Sequence, residues 1–120
     1  MGGSRIVIQK VLDATIATIN DTSVIDPQRI EDMRKTLFDL IDKQDRRKLI
    51  LDISKVKHLS SAALGVLIPL QEKYNAAKGK LVIVGVCDGI MKLFTITGLN
   101  KLLSFADDES EAMSILGVER

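Results

Sequence analysis

The chain has 120 residues, enough for one domain with a buried core. It is 46% hydrophobic and 28% charged, which excludes intrinsic disorder, and 17 basic against 16 acidic residues leave a net charge of +1. That balance, with aromatics at 3%, offers neither the electrostatic footprint nor the stacking platform of a nucleic-acid binder, and a lone cysteine excludes an internal disulfide and fits a reducing, cytoplasmic setting.

Residues 1–4 are expected to be a flexible N-terminus and residues 5–120 a single domain, with no apolar run as long as a membrane span. Ile6-Val7-Ile8-Gln9-Lys10-Val11-Leu12 is rich in β-branched residues and predicts a strand. Thr15–Ile19 predicts a second, antiparallel to the first, although the turn near Asp13-Ala14 contains no Gly or Asn; one bent strand is the alternative. Asp26 is placed to cap a helix whose first residue is Pro27, with Ile25 and Ile30 at hydrophobic-staple spacing. Ile30, Met33, Leu37, Leu40 and Ile41 form its apolar stripe, and the polar stretch Lys43–Lys48 ends it.

Leu49–Ile53 is a nearly continuous apolar strand, the pattern of burial on both faces. A short basic loop follows, then a helix over about residues 60–78 that stops at Gly79. Its predicted inner face is Ala63, Leu67, Leu70, Tyr74 and Ala77; Pro69 should kink it or divide it in two. Lys80–Val86 predicts another buried strand, Asp88 the cap of a helix carrying Ile90, Leu93, Phe94 and Ile96, and Gly98 its stop. Leu102–Phe105 predicts a short strand, and Asp108 and Glu111 have capping-box spacing before Ala112, Met113, Ile115 and Leu116. The alternation after residue 47 requires right-handed crossovers and a mainly parallel sheet. The predicted fold is α/β: an N-terminal hairpin, then alternating strands and helices.

Little here can carry catalysis. His58 is the only histidine, Cys87 has no CxxC partner, and Gly85-Val86-Cys87-Asp88-Gly89 lacks the spacing and lysine of a nucleotide cradle. Asp52 ends a buried strand, where an acid can accept a phosphoryl group. However, no acidic pair follows the first strand to hold magnesium, so Asp52 is expected to hydrogen-bond the turn at Ser54. No catalytic residue, metal site or cofactor is assigned.

What remains is Leu59-Ser60-Ser61-Ala62, at a helix start with unpaired N–H groups and the positive end of the dipole. If Ser60 is the cap, Leu59 and Leu64 take the staple positions; if Ser61 is, they fall to Ser60 and Gly65, which cannot pack. Ser60 therefore caps, and Ser61 is the first helical residue with a free hydroxyl. Small Ala62, Ala63 and Gly65 leave room for another protein's surface.

Leu51-Asp52-Ile53-Ser54, four residues, then Leu59-Ser60-Ser61-Ala62-Ala63-Leu64-Gly65-Val66-Leu67-Ile68 resembles the signature of the STAS family of sulphate transporters and bacterial anti-sigma-factor antagonists. The resemblance implies a single STAS-like domain with helices packed on one side of the sheet. It puts the phosphoacceptor at Ser61, with Ser60 as the alternative because it stands where the family usually has Asp; Ala62 replaces a second Ser. It further implies a cytoplasmic regulatory module, not an enzyme. Its partner would be an anti-sigma factor with serine-kinase activity, docked through His58, Leu59, Ser60, Ser61, Ala62 and Gly65. The alternative is a constitutive subunit of a signalling assembly or membrane transport complex.

Overall fold

Leu49-Ile50-Leu51 and Leu81-Val82-Ile83-Val84 are buried on both sides because they form interior strands of a five-stranded sheet. The computed structural model describes residues 6–118. Its elements are β1 (Ile6–Val11), β2 (Ala14–Ile19), β3 (Ser23–Val24), α1 (Pro27–Asp42), β4 (Lys48–Asp52) and β5 (His58–Leu59). They continue with α2 (Ser61–Ala76), β6 (Lys80–Val84), α3 (Asp88–Thr97), a 3-10 turn (Leu99–Lys101), β7 (Ser104–Ala106) and α4 (Glu109–Leu116). The stretch at residues 1–4 lies outside the described residues.

The main sheet runs β1-β2-β4-β6-β7, antiparallel between β1 and β2 and parallel thereafter. The hairpin closes through Leu12 and Asp13, with Val11 opposite Ala14 and Leu12 at φ 58°, a conformation that β-turn statistics reserve mainly for Gly or Asn. Alternate residues of each interior strand feed two apolar clusters. Ala17, Ile19, Leu49, Leu51, Leu81 and Ile83 meet the buried faces of α1, α2 and α3. Ile16, Ile50, Val82, Val84 and Ala106 meet Ala112, Met113 and Leu116 of α4. The expectation of helices on one side therefore holds for three helices and fails for α4. The physical reason is the strand pattern itself: Ile50, Val82 and Val84 would expose a wide apolar face, and burying Met113 and Leu116 against it stabilises by about 2 kcal/mol per side chain.

Several local expectations are corrected. The segment read as a basic loop contains β5, which pairs in parallel with β3 in a second, two-stranded sheet. Ile25 does not staple Ile30: it is 58% exposed while Ile30 is buried. α2 is one helix through Pro69, which removes only the alternative of two short helices, and it buries Leu64 and Val66 as well as Ala63, Leu67, Leu70 and Tyr74, leaving Ala77 half-buried. The left-handed residue after α2 is Lys78 (φ 59°), not Gly79. Gly79 is needed for another reason: a Cβ there would lie 2.5 Å from the Arg47 carbonyl oxygen. Cys87 is the N-cap of α3 by its backbone alone, its Sγ donating instead to the Val56 carbonyl at 3.7 Å, and Asp88 is the first helical residue. β6 ends at Val84 because Gly85 turns to φ 76°, and the last strand begins two residues later than expected, after the 3-10 turn. Leu93, Ile96 and Ile115 are exposed, so the apolar stripes of α3 and α4 are narrower than their sequences imply.

Candidate partner-docking and modification site

The site is built from the loop leaving β4. Asp52 Oδ1 accepts the Ser54 N–H at 2.9 Å, the Asx turn expected of this residue. Ile53 N–H donates to the Val84 carbonyl at 3.0 Å and Val56 N–H to the Ile53 carbonyl at 3.0 Å, while both side chains are buried. These two apolar anchors hold the loop to the sheet and leave Lys55, Lys57 and His58 exposed. The backbone then zips onto β3: Lys57 and His58 N–H both donate to the Thr22 carbonyl, at 2.7 and 3.2 Å, and Ser60 N–H to the Val24 carbonyl at 3.2 Å. In this pairing Val24 stands opposite Leu59, so the two chains enter α1 and α2 side by side.

Ser60 is the N-cap of α2, in extended backbone at φ −80° and ψ 165°, and its Oγ accepts the Ala63 N–H at 3.2 Å. Leu59, half-buried, packs against the main core to which Leu64 also belongs, as the staple spacing requires. Ser61 is the first helical residue and is exposed. Ala62 and Gly65 are exposed on the same helix, and a Cβ added at Gly65 would meet nothing within 4 Å. Of the residues assigned to docking, His58, Ser61, Ala62 and Gly65 thus present themselves to solvent. Ser60 is half-buried in its cap, and Leu59 serves mainly as an anchor.

The electrostatics of the two helix starts differ. At α1 the Asp26 carboxylate accepts from Gln28 and Arg29 N–H at 3.0 and 3.1 Å and offsets the positive end of the dipole. At α2 the cap is a neutral hydroxyl, the first turn carries no acid, and Lys55, Lys57 and His58 lie in the preceding loop. A negative group added at Ser61 meets a favourable local field. The sequence reading missed Ile25, which follows Val24 and so lies beside Ser60 in the paired register. Its signal was the apolar pair Val24-Ile25 directly before a cap, where only one of the two can turn inward. Among the described residues no group of three or more His, Cys, Asp and Glu converges to hold a metal ion, and no helix is long and apolar enough to cross a membrane.

The sequence profile of the STAS domain matches residues 6–112. The anti-sigma-B factor antagonist of Listeria monocytogenes is 30% identical over 63 residues, 52% of this chain and 55% of that protein, so the match spans little more than half of the relative's length. Among solved structures, a serine-to-glutamate variant of Moorella thermoacetica RsbS superposes with a TM-score of 0.80 at 22% identity, covering 95% of this chain and 96% of that one. The Bacillus cell-fate determinant SpoIIAA in its phosphorylated form gives a TM-score of 0.70 at 15% identity over 92% and 97% of the two chains. At these identities the structural likeness establishes the fold.

Proposed function

The chain belongs to the STAS domain family, and from that premise we propose that it is a regulatory protein-binding module switched by phosphorylation of Ser61. Its partner in this reading is an anti-sigma factor with serine-kinase activity, in keeping with the antagonist name carried by its Listeria relative. The observation that supports the reading most is the division between adjacent serines. Ser60 Oγ is engaged by Ala63 N–H, whereas Ser61 is exposed on a helix start that carries no carboxylate.

The partner brings ATP. Ser61 Oγ forms the new bond to the γ-phosphorus as the bond from that phosphorus to the β–γ bridging oxygen breaks, and the hydroxyl proton leaves to a base of the kinase. The product carries about −1.5 to −2 charge at the N-terminus of α2. The dipole and the nearby lysines tolerate that charge in the free protein, so the fold is retained. Docked against Ala62 and Gly65, the same charge is desolvated, and release follows. A switch from mostly bound to mostly free needs on the order of 5 kcal/mol of differential binding, within reach of a buried dianion.

The test is mass spectrometry after incubation with the cognate kinase and ATP. Phosphorylation that disappears in Ser61→Ala and persists in Ser60→Ala supports the reading; phosphorylation that persists in Ser61→Ala moves the switch elsewhere. A second reading, a constitutive subunit of a signalling assembly or transport complex, is favoured by one feature: Ser60 replaces the acid the family usually places before its acceptor. Partner capture that is the same before and after kinase treatment would decide for it.

A further inference from the structure

The five-stranded sheet has two edges, and only one of them is guarded. β7 is three residues long and runs directly into Asp107 and Asp108; shortness and charge both keep an edge from pairing. β1 is six residues long and holds one unbroken register with β2 from Ile6 to Val11, so it has no bulge. It contains no proline, and Lys10 is its single charge. Val7 and Ile8, on opposite faces of this edge, are 43% and 39% exposed.

Hydrogen-bond parity across the sheet decides which backbone groups β1 turns outward. Lys80 N–H donates to the Arg47 carbonyl and Ile53 N–H to the Val84 carbonyl, so odd-numbered residues of β4 face β6 and even-numbered ones face β2. With Thr15 opposite Leu49 and Ala17 opposite Leu51, the odd residues of β2 face β4, and Ala14, Ile16 and Thr18 face β1. Their register partners Val11, Gln9 and Val7 therefore bond to β2. Ile8 and Lys10 turn N–H and C=O to the open edge, where no described strand receives them.

We propose that β1 pairs antiparallel with β1 of a second copy of this chain, about a two-fold axis at Gln9. Ile8 of each copy then exchanges two hydrogen bonds with Lys10 of the other, so all four outward groups of each strand are satisfied. The same rotation sets Val7 opposite Val11, and Gln9 opposite Gln9, on the face that carries α4. On the other face Ile8 lies against the alkyl stem of Lys10, and no charge stands opposite a like charge. A foreign strand would have to bring this match, whereas a second copy already holds it. The contact is one strand wide, at the low end of interface sizes, below about 1,200 Å², which makes the dimer reversible and concentration-dependent. Ser61 follows the central strand β4, so both copies keep it free, and the dimer offers a partner two docking faces.

Sedimentation equilibrium of the full chain from about 10 µM to about 1 mM should show the average mass rising reversibly towards that of two chains. Ile8→Pro removes one outward donor per copy and no bond to β2, and should weaken the dimer at least about fivefold. Ile8→Lys keeps every backbone donor but sets a second cation opposite Lys10 of the other copy, and should weaken it by as much. With Cys87→Ser as the background, Gln9→Cys should form an intermolecular disulfide several-fold faster than Val7→Cys. Only Gln9 meets its own counterpart across the axis, at a Cα separation of about 4.5 Å. A single-chain mass at about 1 mM, a dimer that neither Ile8 variant weakens, or equal crosslinking at Val7 and Gln9 would overturn the proposal. The Ser61 kinase assay is independent of every one of these results.

Discussion

Val24 and Leu59 are register partners in a parallel pair only two residues long, and the next bond, from Ser60 N–H to the Val24 carbonyl at 3.2 Å, sets the cap of α2 directly beside Ile25. That small sheet makes the serine site a surface shared by two helix starts. Ile25→Ser should therefore alter stability by no more than about 0.5 kcal/mol, since the side chain is mostly in water, and yet reduce partner capture. Denaturant unfolding and a pull-down checked on the same sample separate the two effects; unaltered capture would remove Ile25 from the docking face.

The two serines should separate cleanly by stability alone. Ser60→Ala deletes the acceptor for Ala63 N–H and should cost about 1 kcal/mol, whereas Ser61→Ala, at an exposed first helical position, should stay within about 0.5 kcal/mol of the parent. Thermal and urea unfolding of the single variants measures this without any partner. Equal losses at both positions would contradict the assignment of the cap.

Gly85 holds the loop beneath the site. Its φ of 76° is already costly for an L-residue, and an added Cβ would lie 2.6 Å from Ser54 Cβ and 2.8 Å from Ser54 Cα and N. Gly85→Ala should destabilise by about 3 kcal/mol, from strain and overpacking together. It should also loosen the Asp52–Ser54 turn, visible as faster amide hydrogen exchange at Ser54 and Val56.

Tyr74 is fully buried in α2, and its hydroxyl has no hydrogen-bond partner among the described residues. Burial first, and then the nearby Asp42 carboxylate, push its ionisation well above the ordinary tyrosine value of 10.0. Because the neutral phenol is also under-satisfied, Tyr74→Phe should be neutral or stabilising by up to about 1 kcal/mol. A loss of stability measured by urea unfolding would mean that the hydroxyl has a partner in solution.

Acid lability has an identifiable contributor in the hairpin. Lys48 Nζ donates to Asp13 Oδ2 at 2.8 Å, and this hydrogen bond is the main cause that lowers the Asp13 carboxyl below its ordinary 3.8. A carboxyl depressed in the folded state stabilises above its unfolded pKa, and that stability is lost as pH falls through the folded one. Asp13→Asn should therefore lower stability slightly near neutrality and flatten the decline of stability below about pH 4 in acid unfolding curves. An unchanged acid limb would show that the pair is fully screened by solvent.

Most of the elements were legible in sequence because their signals are local. The Asp26-Pro27 start, the Asp108 cap, the Gly98 stop and the apolar runs of β4 and β6 each depend on residues within a few positions of one another. The serine assignment was legible for the same reason: staple spacing places the cap at Ser60, and Ser60 Oγ indeed takes the Ala63 N–H. What the chain alone did not reveal depends on partners far away in sequence. β3 and β5 are two residues each, too short to show a periodicity, and exist only because they pair across 35 positions, Ser23 with His58. The side of the sheet that α4 covers is set by where its connection leaves β7, which no residue of α4 encodes. The exposure of Ile25 follows from the first of those placements. Capping chemistry and hydrophobic period acted along the chain and made Ser61 the free hydroxyl; only packing across it decided what stands beside that hydroxyl.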